Sequence, residues 1–445
     1  MMFALGIAWM VAAAAPAPAP APGVADAVDK TVEAVEMLQR ALGFKLKPTG
    51  FVAGHVVFNT GSAQPSGDAP FFVAQNSKTI YQVGTALPWE SDGSLVITGR
   101  QSRFGAEAGF NISRWLDAKA VLEFDLWALY RADIPPSITA GTVRLRLAYA
   151  EFGNTYFSIL AGQALSVVSP GYPLSVGHLA VAAFTQAGFL WQRLPQLTLN
   201  LNLPLWFAPP VLGAPKLFAA VSLARPLSGD HATHDVIVFD TRDPGTASML
   251  PLLQARAGLD GKHLTLAVSA QAGVESWPLQ TVTGTPDGGK LVETWLLAAD
   301  ARAALAGFTL QGQVFVGTNL NGMFGMMGVR RTEVDVRDRQ GAVTGKALLD
   351  VHSWPSAGGW LQVAGPVWPK VANWHLGIGT EQALTEWGLP ASTGVGNAAL
   401  QAGLLFPVHA HLDAGVESYQ VVSRFAQSTR LAWNDSFAFM LRVKL

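Results

Sequence analysis

The chain of 445 residues has no cysteine, which excludes a disulfide framework, thiolate catalysis, a cysteine-bearing zinc site and a lipidated N-terminal cysteine. It also lacks an apolar run long enough for a membrane-spanning helix: the longest, Met2 to Ala15, falls short of the about 18 residues required. Charge is scarce, at 14% of residues, and the 30 basic against 31 acidic side chains leave no basic footprint for nucleic acid. Catalytic signatures are missing too. There is no Gly-x-Ser-x-Gly elbow and no His-Glu-x-x-His, so nothing anchors an enzyme and no cofactor is expected. The stretch Gly284 to Lys290 follows the phosphate-loop spacing as far as its lysine, but Leu291 stands where a Ser or Thr would hold magnesium, and a hairpin loop accounts for it better. His409 and His411 share a strand face with Asp413, in a spacing that suits a divalent ion, yet ordinary polar residues on an inward face describe them better.

What the chain does have is apolarity that is never sustained. Half of its residues are hydrophobic, with 45 glycines and 14 tryptophans, and the apolar positions alternate with polar ones. That is how a transmembrane β-barrel reads, since lipid-facing and lumen-facing side chains alternate along every strand. Residues 1–27 join an apolar stretch to an Ala-Pro repeat and small-residue pairs suited to cleavage, which predicts an export signal. From Val24 to Leu42 apolar residues fall three or four apart and Gly43 ends the run, which predicts an amphipathic helix over 24–43, packed on a sister chain or on the barrel mouth. Beyond Pro48 the period becomes 2, and one β domain is expected over 50–445.

The pattern is clearest from Lys262 to Trp277, where Leu264, Leu266, Val268, Ala270, Ala272 and Val274 oppose Thr265, Ser269, Gln271 and Glu275. A like strand precedes it, with Leu253, Ala255 and Ala257 opposite Gln254 and Arg256, and Asp260-Gly261 between them signals a hairpin. Phe104 to Ile112 and Ala118 to Leu126 repeat the pattern, and His409, His411, Asp413 and Glu417 read as one polar face near the end. Trp115, Trp127, Tyr130, Trp206, Trp277, Trp295 and Trp433 fall at strand ends, where an interfacial girdle would put them. At about 10 residues per strand the length accommodates about 16 or 18 strands. Gly61 to Gly93, His231 to Gly245 and Gly325 to Gly345 are long and polar, and are expected outside the cell or folded into a pore.

Specific residues carry a resemblance. Arg100-Gln-Ser-Arg-Phe-Gly-Ala-Glu, Ala120-Val-Leu-Glu-Phe-Asp, Val143-Arg-Leu-Arg-Leu-Ala-Tyr-Ala-Glu-Phe-Gly and Leu160-Ala-Gly-Gln-Ala, in this order after an N-terminal helix, resemble the DcaP-like family of trimeric outer-membrane channels. The resemblance covers residues 24 to about 170. It implies a Gram-negative outer-membrane homotrimer, a 16-stranded barrel per subunit, and a pore whose inward basic residues favour small anions such as dicarboxylates. By position, Arg103, Arg144 and Arg146 would face the lumen. The chain departs from the family's pattern in its terminal Leu445, where an aromatic is usual, in its short helix, and in lacking an aromatic after Gln163-Ala164.

Strand phase alone gives an inward set of Arg103, Lys119, Arg144, Arg146, Arg256, Arg302, Arg442 and Lys444 against Glu107, Glu123, Asp125, Asp300, Asp413 and Glu417. The expectation is passive diffusion of small hydrophilic solutes past opposed charge ladders, with Arg103, Arg144 and Arg146 on one wall. The expected partners are outer-membrane lipid, sister subunits and the solutes themselves, with no nucleic acid. A non-conducting structural or adhesin barrel and an exported soluble β-protein remain as alternatives.

Overall fold

The computed structural model describes residues 44–445 apart from 62, 65–66, 74–92, 128–142, 170, 206–214, 229–242, 338–339, 369–370, 392 and 430. The expected signal at 1–27 and helix at 24–43 lie outside the described residues. Alternation produces strands in this order: β1 Phe44–Asn59, β2 Ala63–Gln64, β3 Phe72–Val73, β4 Ser94–Thr98, β5 Arg103–Ser113, β6 Leu116–Asp125 and β7 Arg144–Gly153. There follow β8 Phe157–Leu165, β9 Arg193–Pro204, β10 Lys216–Ala224, β11 Leu252–Asp260, β12 Leu264–Gln280, β13 Pro286–Leu305 and β14 Phe308–Thr318. The last are β15 Val329–Arg337, β16 Val343–Ser353, β17 Pro355–Trp368, β18 Ala372–Ala383, β19 Gly394–His409, β20 Leu412–Phe425 and β21 Leu431–Lys444.

Apart from the small pairs β2–β3 and β15–β16, all join one sheet of 17 segments whose pairings are antiparallel. β1 pairs along one edge with β21 and along the other with β5 through its first half and β4 through its second. β4 and β5 therefore share one position, and the sheet closes on itself as a barrel of 16 strands. At the corner between them, Ser102 Oγ donates to the Gly99 carbonyl at 2.6 Å and accepts from the Ala53 amide at 3.0 Å. The barrel begins at Phe44, earlier than the expected residue 50, because Phe44, Leu46 and Pro48 already alternate with Lys45 and Lys47.

Short turns such as Arg114–Trp115, Gly261–His263, Ala306–Gly307 and Ala410–His411 gather at one end with Leu445, the turn end; the long connections occupy the opposite, loop end. Ala410 and His411 are thus a turn joining β19 to β20, where one continuous strand had been expected: the alternation on either side carries across a two-residue hairpin unchanged. Among the described residues no group of three ligating side chains suits a metal at this turn or elsewhere. The Asp260–Gly261 hairpin forms as expected; Thr281–Thr285 is the tip of the β12–β13 hairpin, and the lysine-ended glycine stretch runs from this tip into β13.

The two faces of the wall differ. Outward, Leu197, Leu199, Leu201 and Leu203 of β9 stand beside Leu217, Val221 and Leu223 of β10, all exposed, and comparable Leu, Val, Ile and Phe side chains continue round the barrel. Left in water, each would forfeit about 1.5–3 kcal/mol of burial, so this belt is built for lipid. Inward, polar side chains bond across strands, as in Thr198 to Ser222 at 2.9 Å, Gln254 to Gln271 at 2.7 Å and Gln362 to Gln401 at 2.9 Å. Of the expected girdle, Trp115, Trp295 and Trp433 are exposed on the outside, and Tyr130 and Trp206 lie outside the described residues. Trp127 and Trp277 are buried on the inside instead, Trp277 donating from its indole to Glu275 at 2.9 Å. A strand end marks height in the wall and not the face, which is why position along the chain misassigned these two.

Candidate functional site

A segment over residues 166–192 departs from β8, crosses the barrel interior and returns into β9, its neck closed by the Ser166 amide donating to the Gln192 carbonyl at 2.9 Å. Its residues lack alternation, and Pro170 and Pro173 each remove a backbone donor, so it cannot join the sheet. Its backbone groups are satisfied by inward side chains of many strands. Gln362 of β17 brackets Leu174, accepting from its amide at 2.8 Å and donating to its carbonyl at 2.7 Å. Gln101 accepts from the Leu179 and Ala180 amides at 2.7 and 3.1 Å, Tyr419 from Phe184 at 2.9 Å, and Asn397 donates to the Gln186 carbonyl at 2.9 Å.

Apolar packing completes the docking. Phe184, Phe189 and Trp191 are fully buried with Trp360, Tyr419 and Val421 of the wall, and Leu190 joins a second cluster with Leu296, Phe315 and Leu320. Glycine allows the close approach: Gly188 has φ of 105°, and a Cβ on Gly379 of β18 would lie 2.2 Å from the Ala187 carbonyl oxygen.

The tightest anchor is Glu417 of β20. Its buried carboxylate accepts from Ser175 Oγ at 2.8 Å and from the Val176 and Gly177 amides at 2.7 and 3.3 Å. Gln401 donates at 3.0 Å, and His375 Nε2 and His178 Nδ1 stand at 2.9 and 3.4 Å, both assigned as donors because a carboxylate only accepts.

Beside the crossing segment, the expected arginines come together. Arg144 forks onto Asp125 at 2.5 and 3.0 Å; Arg146 bonds Glu123 at 2.6 Å and Asp125 at 2.7 Å. Arg103 lies 3.6 Å from Glu123 and donates to the Leu179 carbonyl at 2.7 Å, while Arg144 and Arg146 both donate to that of Ala180, at 2.8 and 3.0 Å. Trp127 is held between the Arg100 and Arg144 guanidiniums, 5.3 and 5.1 Å from its ring centroid. Arg193 joins the group over Trp191, with the Tyr172 hydroxyl 3.5 Å away and no carboxylate in ion-pair range among the described residues. Counting Arg193, the group holds four guanidiniums, three of them against the carboxylates of Glu123 and Asp125, a formal excess of +2.

The other expected residues lie apart. Glu107 and Lys119 sit nearer the turn end, Lys119 over the Tyr149 ring at 5.8 Å. On a different stretch of wall, Arg256 forks onto Asp300 and covers the Phe218 ring, and Arg302 is exposed two residues beyond. The opposed ladders expected from strand phase are not what forms: Glu123 and Asp125 stand on β6, next to the arginines of β5 and β7, and pair with them directly. The crossing segment, Arg193 and Tyr172 escaped the sequence reading; the prolines at 170 and 173 and the loss of period were the available signal.

No protein-family model matches the sequence, and no curated protein matches it either. Solved structures do. The outer membrane channel DcaP of Acinetobacter baumannii superposes with a TM-score of 0.61 at 17% identity, over 90% of this chain and 97% of that one. The anion-selective porin from Comamonas acidovorans gives 0.51 at 10% identity, over 90% and 100%, and Salmonella typhi OmpF, in its complex with daunomycin, gives 0.52 at 10%, over 91% and 98%. The chain has the fold of these outer-membrane barrels.

Proposed function

We propose that the protein is a passive diffusion channel of the Gram-negative outer membrane, working as a homotrimer and favouring small hydrophilic anions. The carrying observation is the combination of a closed barrel, an apolar outer belt and a segment that crosses a charged interior: the belt needs lipid, and the segment narrows a path lined by ionic groups. The turn end would face the periplasm, with the export signal within residues 1–27 removed and the helix at 24–43 standing below the barrel. Arg103, Glu107, Lys119, Glu123, Asp125, Arg144, Arg146, Arg256 and Arg302 would line the path. The excess of +2 beside Ala180 supports anion preference, since weakly screened charge at a constriction raises the local concentration of counter-ions. The same barrels' likeness, including one described as an anion-selective porin, supports the channel reading, and no catalytic role is part of it.

The dense packing of Phe184, Phe189, Leu190 and Trp191 favours a second reading, a structural barrel closed at the loop end. Recording from detergent-purified protein in a planar bilayer under a salt gradient separates the two. Conductance steps grouped in threes, with a reversal potential toward the anion equilibrium, agree with the first; silence from protein shown to be folded leaves the second.

A further inference from the structure

Away from the arginine cluster, a cavity of about 190 Å³ opens between the crossing segment and the wall formed by β11 to β14 and β17. Its polar lining includes Arg256, Thr265, Asp300, Arg302 and Gln311; its floor is Trp360, packed at 5.4 Å between ring centroids against Phe189 of the crossing segment. We propose that this cavity is a binding subsite for a neutral polyhydroxylated solute, one pyranose ring in size. The proposal goes beyond anion preference and rests on the channel reading only for how solute reaches the site.

The groups are of mixed sign and mixed direction. Asp300 is fixed by the Arg256 fork and only accepts; Arg302, exposed on the same strand face, only donates. Gln311 gives its amide hydrogens to the Tyr172 carbonyl at 3.3 Å and to Gln362 at 3.1 Å, which leaves its oxygen facing outward from those bonds as an acceptor. Thr265 donates to Asp260 at 2.8 Å and retains lone pairs. Adjacent hydroxyls on a sugar ring both donate and accept, and so can meet carboxylate and guanidinium side by side. Arg256 is taken up by Asp300, so a carboxylate solute would find Arg302 as its one available cation, with Asp300 beside it as a like charge.

The floor points the same way. Trp360 is 6% exposed and its indole Nε1 has no hydrogen-bond partner among the described residues, a state that is uncommon for a buried donor unless a bound hydroxyl or water completes it. Phe184 stacks on the ring at 6.0 Å between centroids and Phe189 packs edge-on, so the ring meets the cavity by its margin, an apolar edge beside the unpaired N–H. The volume is below the about 300–1,000 Å³ of drug-sized sites, which suits one ring and not two.

The test is titration of the open channel with D-glucose, with glycerol as the control. Saturable current block by glucose, absent with glycerol and weakened about tenfold in Gln311→Ala and in Trp360→Phe, is the expected result; the loss corresponds to one or two hydrogen bonds. Conductance with no saturable block, or block unchanged by both substitutions, overturns the subsite while leaving the channel reading in place. Should the folded protein not conduct, saturation-transfer NMR with glucose on the detergent-solubilised barrel decides: transfer lost in Gln311→Ala upholds the subsite, and no transfer overturns it.

Discussion

Replacing Glu417 with alanine should release the crossing segment without unfolding the barrel. The substitution removes the acceptor for the Ser175 hydroxyl and for the Val176 and Gly177 amides, and leaves His178 and His375 facing an empty site. Each buried orphan costs about 1–3 kcal/mol, and breaking a buried charged partnership costs about 3–5 kcal/mol in all, since some groups relax toward water. At 1.4 kcal/mol per factor of ten, the docked arrangement of residues 175–178 loses about a hundredfold to several-thousandfold of its advantage. The ladders that β20 makes with β19 and β21 use backbone groups the substitution does not touch, so thermal unfolding should move little. In single-channel recording the variant should show larger mean conductance and added open-state noise, whereas Ser175→Ala, which removes one donor, should show a much smaller change. A folded Glu417→Ala protein with wild-type conductance and noise would refute the idea that this carboxylate holds the segment in the path.

Changing Arg103, Arg144 and Arg146 together to alanine turns the local sum from +2 to −1, because Arg193 is then the one guanidinium of the group left to set against Glu123 and Asp125; the reversal potential should cross from anion toward cation preference, and an unmoved potential counts against these residues as the selectivity element. Gly379→Ala puts a Cβ 2.2 Å from the Ala187 carbonyl oxygen, so the segment should be cut faster by chymotrypsin at Phe184 and Phe189, with unchanged cleavage as the contrary result. On the exposed β15–β16 hairpin, the bond from Lys290, with help from the Val351 amide and His352, holds the Asp350 carboxyl down at about 2 against an ordinary 3.8. A depressed carboxylate stabilises above its unfolded value and loses that contribution as pH falls through the folded one. At pH 3, pepsin should therefore cleave the hairpin of Asp350→Asn faster than that of the wild type, and equal rates would show that the contact contributes nothing.

Strand existence was legible wherever one face met lipid. Leu264 to Val274 could be read without ambiguity because a greasy outer face imposes period 2 whatever the inner face contains. The inner face was less legible, because β13 places Leu296 and Ala298 inward as well as Leu297 and Ala299 outward, and two apolar faces erase the alternation that would tell them apart. The crossing segment suffered most. Its burial is supplied by partners far away in sequence, such as Gln362 and Glu417, so its own residues carry no local period to read, and only two prolines hint that it is not a strand. The arginine cluster was half legible: strand phase brought Arg103, Arg144 and Arg146 to one wall, but which carboxylate each would meet depended on the β6–β7 register, irregular at Glu123 and Phe124.

The seam where β1 meets β21, with Phe51 opposite Lys444, also governs how the molecule can be made. Bringing those two residues together closes a loop of almost the whole chain, an entropic cost of about 5 kcal/mol from the length-dependent part alone. Contacts so distant form late and slowly. Until β21 docks, the sheet has two unpaired edges, each a template for adding a strand from another chain. The barrel is thus the last state reached and not one that grows as synthesis proceeds: every shorter intermediate is an open, adhesive sheet, and whatever carries the chain to its membrane has to keep those edges from meeting any partner but each other.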